Sequence, residues 1–109
     1  MSEINHLIQE LIKFRNERDW EQFHNPKDLA IAISAEAGEL LEQFLWKDAK
    51  EANPEKVKEE LADIFAYALL LAEKYKFDVS EIVLDKIKKN DKKYPVDKAK
   101  GNAKKYNEL

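Results

Sequence analysis

Apolar residues return at helical spacing through most of the chain, and the places where that spacing is broken carry the information. Ile4, Leu7, Ile8, Leu11, Ile12 and Phe14 recur every few positions and predict an amphipathic helix over residues 3–18. Asp19-Trp-Glu-Gln-Phe-His24 follows as an aromatic-bearing connection. Asn25-Pro26 then supplies an N-cap and a proline at the first helical position, with Asp28 in the first turn, predicting a second helix over 26–47. Asn53-Pro54 repeats the signal and opens a third helix over 54–74. Asp78-Val-Ser-Glu81 has the form of a capping box and opens a fourth over 78–93, stopped at Tyr94-Pro95. Residues 95–109 are rich in lysine, contain Gly101, and read as a tail that is loosely ordered or ordered only against a partner.

Four helices, short connections and almost no strand signal predict an all-α, antiparallel four-helix bundle forming a single domain over 1–109. The third helix is apolar nearly all round from Ile64 to Leu71. In so short a chain a second apolar face implies burial against another subunit, so at least a homodimer is expected.

Two of the predicted stripes are interrupted by acids. On the second helix Leu29, Ile33, Leu40 and Phe44 define one face, and the missing member of the series is Glu36; Glu39 lies three residues on, on the same face. On the third, Val57, Ile64, Tyr67 and Leu71 define a stripe whose missing member is Glu60, with Asp63 three residues beyond. If the two pairs face each other, four carboxylates converge. Two such charges roughly 5 Å apart repel by about 3 kcal/mol at an effective dielectric near 20, so protons or a cation must hold them together. All-oxygen ligands suit Mg²⁺, or Mn²⁺ in its place. Spacing alone equally allows ordinary salt bridges at the helix edges. A di-iron bundle would need Glu-x-x-His on two helices; only Glu3-Ile-Asn-His6 fits, in a fraying first turn. Gly38, between the two acids, is unusual in mid-helix and implies a close neighbour there.

Composition narrows the class. Charged residues make up 38% of the chain with both signs interspersed, and the formal net charge is −3, which argues against duplex nucleic acid or an anionic membrane as the main partner. There is no cysteine, hence no disulfide or thiolate metal site, and no apolar run reaches membrane-span length. A cytoplasmic protein is expected.

The residues in order resemble a known family. Glu36-x-x-Glu39 followed after about twenty residues by Glu60-x-x-Asp63 is similar to the metal-binding signature of the all-α, MazG-like nucleoside triphosphate pyrophosphohydrolases. The likeness extends to Arg18-Asp-Trp-Glu-Gln-Phe-His24, Gly38-Glu-Leu, Phe44-Leu-Trp-Lys47, and Lys86 through Asn90 to Lys93-Tyr-Pro95, spanning roughly residues 5–108 and resembling the dCTP pyrophosphatase branch. The resemblance implies Mg²⁺-dependent hydrolysis between the α- and β-phosphates, releasing a monophosphate and pyrophosphate, by a homodimer or a tetramer built from dimers. Carried over by motif position, Glu36, Glu39, Glu60 and Asp63 would bind metal. Trp20, His24 and Trp46 would form the base pocket with Tyr67 beside it, and Lys86, Asn90, Lys93 and Tyr94 would hold phosphates. One departure is a shorter connection between Trp46 and Glu59 than in the animal dCTP enzymes.

Read without the resemblance, each of these residues also has a plain structural role. The tryptophans would pack at helix ends, Tyr67 in the core and His24 at a helix start, while Lys86 would extend to solvent at the bundle edge. The functional expectation is hydrolysis of dCTP or a modified dCTP. The alternatives are the same reaction on dUTP or another non-standard nucleotide, or a non-catalytic helical dimerisation module whose acids are merely solvated.

Overall fold

A computed structural model describes residues 2–109. Every regular element among them is helical, as the periodicity predicts: α1 (Glu3–Glu17), α2 (Pro26–Glu42), α3 (Pro54–Lys74), α4 (Val79–Lys93) and a short α5 (Val96–Ala99), with 3₁₀ turns at Glu21–Phe23, Ala49–Glu51 and Tyr106–Glu108. The chain divides into two compact units, one reaching to Lys76 and one running from Phe77 to Leu109.

The helix starts obey the local chemistry. Ser2, Asn25, Asn53 and Asp78 each take an extended backbone and accept a hydrogen bond from a backbone N–H of the first turn, at 2.9–3.1 Å. Each satisfies a donor that the helix cannot, which contributes about 1 kcal/mol. Pro26 and Pro54 sit where a missing N–H has no consequence. α1 ends where Asp19 takes a left-handed φ of 55°, while Arg18 donates to the Phe14 carbonyl at 3.0 Å and lies over the Phe14 ring.

α2 is shorter than its stripe predicts. Its α-helical bonding stops at Glu42, and Gln43, Phe44, Leu45 and Lys47 instead donate to carbonyls three residues back. The last turn tightens in this way because Trp46 adopts a φ of 60° and turns the chain out of the helical path. Phe44 therefore continues the apolar stripe in a turn. Gly38 lies on an exposed face with nothing within 4 Å of where a Cβ would stand, so no close neighbour within this chain explains it.

In the first unit α2 packs along α3, and α1 packs on α3. Ile8, Leu29, Leu70 and Ala72 form its buried centre, together with one charged residue, Arg15. Large apolar side chains remain outside: Ile31, Leu41 and Leu45 on or beyond α2, and Leu61 and Phe65 on α3. In the second unit α4 exposes Ile82, Val83, Leu84 and Ile87. Its C-terminal segment is more structured than a loose tail: Tyr106 meets Tyr94 edge-on at 6.2 Å, Lys93 Nζ stands 5.0 Å from the Tyr106 ring centre, and Gly101 makes its turn at a φ of 81°. No helix among the described residues is long and apolar enough to cross a membrane.

Leu29 is 1% exposed at the centre of the first unit. Leu29→Ala is expected to cost about 2–5 kcal/mol, read as a lower urea midpoint by circular dichroism. A loss within 0.5 kcal/mol would mean that the packing centre lies elsewhere.

Candidate metal centre and adjoining cavity

Because α2 and α3 lie against each other, the two interrupted stripes meet. One carboxylate oxygen each from Glu36, Glu60 and Asp63 lie within 4.8 Å of one another. Glu36 and Glu60 are half-buried and Asp63 is exposed. Glu36 Oε2 and Glu60 Oε2 are shielded from solvent without a hydrogen-bond partner. Glu39 is exposed and stands outside this close group, although it still acts on both half-buried acids.

The electrostatics follow from crowding like charges where water is scarce. Loss of hydration, then the adjoining carboxylates of Glu39 and Glu60, then the negative charges of Glu39 and Asp63 push Glu36 up to about 7. Burial, and after it Glu39, raises Glu60 as well, with contact to Glu36 opposing. Three close carboxylates with two buried, unsatisfied oxygens fit a hard divalent cation by donor type and charge. The residues present can therefore hold a hard divalent cation.

Asp63 belongs to a second feature. It lines a cavity of about 240 Å³ with Leu11, Phe14 and Arg15 of α1, Trp20 and His24 of the connection, and Ala66, Tyr67 and Leu70 of α3. Trp20 meets Phe14 edge-on at 5.8 Å and lies 6.4 Å from His24, which in turn meets Tyr67 edge-on at 6.3 Å. His24 Nδ1 is buried and unpartnered. Burial, then the positive charges of Arg15 and Lys74, hold His24 below its usual value, so the ring is neutral at pH 7. Burial, then Glu36, Asp63 and Glu39, raise Tyr67, so its hydroxyl keeps its proton.

Of the sequence candidates, the structure thus brings Glu36, Glu60 and Asp63 together, with Glu39 beside them, and gathers Trp20, His24 and Tyr67 round the adjoining cavity. Trp46 is not among its lining residues and is 94% exposed. Lys86, Asn90, Lys93 and Tyr94 belong to the second unit, where Lys86 and Asn90 share one face of α4 with Ile82, Val83 and Ile87. The sequence places Leu11 and Phe14 only in the apolar stripe of the first helix, and its reading passed over Arg15. The signal for Arg15 was available: Ile4, Ile8 and Leu11 form a stripe whose next member is this arginine, an interruption of the same kind that marks Glu36 and Glu60.

The architecture is all-helical among the described residues, with acids from two helices beside an aromatic cavity. The MazG-like family model matches residues 31–109, and the chain belongs to the MazG-like family. It is similar to dCTP pyrophosphatase 1 of Bos taurus, 41% identical over 105 residues covering 89% of this chain, and to that of Homo sapiens, 39% identical over the same share. The chain spans 62% of the length of these curated relatives. A crystal structure of a pyrophosphatase from Archaeoglobus fulgidus superposes with a TM-score of 0.81 at 36% identity, covering 87% of this chain and 94% of that one.

The raised Glu36 gives the metal-free protein a definite pH dependence. The folded state holds this proton to about pH 7 while the unfolded chain releases it near 4.5, so the stabilisation is complete below 4.5 and is lost as pH rises to about 7. Thermal melting in EDTA between pH 4 and 8 should show the decline, and Glu36→Gln should flatten it and melt higher at pH 8. Parallel curves for the two proteins would show that Glu36 is not crowded.

Proposed function

We propose that the protein is a metal-dependent nucleoside triphosphate pyrophosphohydrolase that cleaves between the α- and β-phosphates, with dCTP or a modified dCTP as substrate, in sanitation of the cytoplasmic nucleotide pool. The observation that carries this reading is the sharing of Asp63 between the carboxylate group and the aromatic cavity. A base held among Trp20, His24 and Tyr67 would direct its phosphates toward the acids. The similarity to dCTP pyrophosphatases over most of the chain supports the same reading.

Glu36, Glu60 and Asp63, with Glu39 beside them, would hold Mg²⁺ or Mn²⁺. The bound ion would neutralise the triphosphate and lower the pKa of a water. Substitution at phosphorus asks little covalent work of the protein, and a site without a serine or cysteine nucleophile is adequate for it. The aromatic cavity orients the base by stacking and excludes water from one end of the substrate. Lys86, Asn90, Lys93 and Tyr94 are proposed phosphate contacts. Trp46 and the exposed apolar residues of α2, α3 and α4 are assigned to a homodimer, or a tetramer built from dimers, because so many large apolar side chains lie uncovered on one chain.

The deciding experiment incubates the protein with Mg²⁺ and a panel of dCTP, dUTP, other standard triphosphates and modified dCTPs. Monophosphate and pyrophosphate are the expected products. Orthophosphate with a diphosphate would mean cleavage at the γ-phosphate, and no product from any triphosphate would favour the dimerisation-module reading.

Asp63→Asn and Glu39→Gln should each lower kcat by at least about a hundredfold while the far-ultraviolet spectrum stays unchanged. Retained activity in either variant removes that residue from the metal site. Trp20→Ala should weaken nucleotide binding by about 1–3 kcal/mol in calorimetry and leave affinity for free Mg²⁺ unaltered, as loss of a stacking surface requires. Equal losses for both ligands would place Trp20 in the scaffold.

A further inference from the structure

Arg15 lies on the wall of the aromatic cavity and has no part in the chemistry described so far. It is 5% exposed. Of its five N–H bonds only that on Nε is hydrogen-bonded, to Asn16 Oδ1 at 3.1 Å. Nη1 stands 3.8 Å from Glu73 Oε2 and Nη2 3.9 Å from Glu21 Oε2, both beyond hydrogen-bond reach. Nη1 is shielded from solvent and unpartnered. Buried donors are nearly always satisfied because an unmade bond in a low-dielectric setting is costly. Here a guanidinium on a cavity wall is ion-paired to two carboxylates at long range, with Nη1 left buried and without a hydrogen bond.

The surrounding charges decide what kind of group the fork suits. Glu21 and Glu73 stand against the guanidinium, Lys74 lies 3.4 Å from Glu21, and Lys76 lies 2.7 Å from Glu73. With Asp63 on the cavity wall as well, the three cations are matched by three acids. The cavity therefore offers directed N–H donors without a net positive field, which suits neutral acceptor atoms better than a phosphate. Its volume, about 240 Å³, lies below that of pockets enclosing a whole drug-sized ligand and suits one ring moiety. The rings of Phe14, Trp20 and Tyr67 supply the apolar walls for such a moiety.

Of the other polar groups of the cavity, Asp63 is assigned to the metal centre, and His24 and Tyr67 do not choose between pyrimidines. His24, as a neutral imidazole, donates or accepts at Nδ1 according to its tautomer, and a tyrosine hydroxyl does both. A guanidinium only donates. Cytosine presents two adjacent acceptors, O2 and N3, to a forked donor. Uracil and thymine carry a proton on N3, which would oppose it. On the pyrophosphohydrolase reading of the adjoining acids, we propose that Arg15 reads the base, donating to the O2/N3 edge of a cytosine-type ring in the aromatic cavity and so selecting cytosine over uracil and thymine nucleotides.

The test compares the unaltered chain with Arg15→Gln and Arg15→Lys. Calorimetric titrations with dCMP and dUMP in Mg²⁺ are run beside kcat/KM for dCTP and dUTP. Arg15→Lys keeps a cation against Glu21 and Glu73 while losing the fork, so it remains informative if the glutamine variant fails to fold. The wild type should favour the cytosine nucleotides. Both variants should lose about tenfold to a hundredfold on them with little change on the uracil nucleotides, so that the ratio collapses. A wild type that takes uracil equally well, or variants that lose both bases alike, overturns the assignment. Pyrophosphate release with an unchanged ratio removes Arg15 and leaves the reaction standing. A collapsed binding ratio without pyrophosphate from either triphosphate keeps Arg15 and removes the reaction.

Discussion

Carboxylates forced together on the seam between α2 and α3 are the constraint on which the rest of the molecule depends. Helix packing that buries Leu29 and Leu70 also carries Glu36 and Glu60 into partial burial, with Asp63 within 4.8 Å. Two oxygens in that group lack a hydrogen bond, and Glu36 answers by holding its proton to about pH 7. A fold that spends stability in this way at one place is poised for a ligand that removes the conflict. A cation bound there would stabilise the folded state and the helix seam together, since binding to the native state alone adds directly to its stability.

α3 works as the ruler of the site. Glu60 and Asp63 lie on one stretch of it, and Ala66, Tyr67 and Leu70 follow within two further turns to line the cavity. At about 1.5 Å per residue the helix fixes a separation of roughly 15 Å from Glu60 to Leu70 along its axis. An extended ligand with an anionic end and an aromatic end matches such a ruler, which is the physical sense of the proposed nucleotide site. The opposite wall comes from α1 and the short connection after it, where the left-handed turn at Asp19 sets Trp20 and His24 beside Phe14 and Arg15.

Polar groups in the first unit obey one pattern. Arg15 sits between Glu21 and Glu73, and these acids are matched by Lys74 and Lys76. Glu73 is correspondingly held below its ordinary value, first by its bond to Lys76 and then, against burial, by the charges of Lys76, Arg15 and Lys74. Compensation is nearly complete on this side of the cavity and missing on the other, where Glu36 and Glu60 have only further acids near them. A cation is called for at the second place, and a neutral donor-seeking group at the first.

Sequence by itself determined the helices and the two acidic interruptions, because caps, prolines and spacing are local and act within one or two turns. Asn25-Pro26, Asn53-Pro54 and Asp78 start their helices where the residues say they should. It misjudged the end of α2, since apolar spacing continues through Phe44 while the backbone turns out at Trp46, a choice that periodicity does not encode. Which charges would be crowded and which relieved was decided only by the tertiary structure. Arg15 and Glu73 are far apart along the chain, as are Glu36 and Glu60, and their meeting depends on how α1 and α2 lie on α3. A field between two charges depends on distance through space and on the water excluded around them, and neither quantity exists until the helices pack.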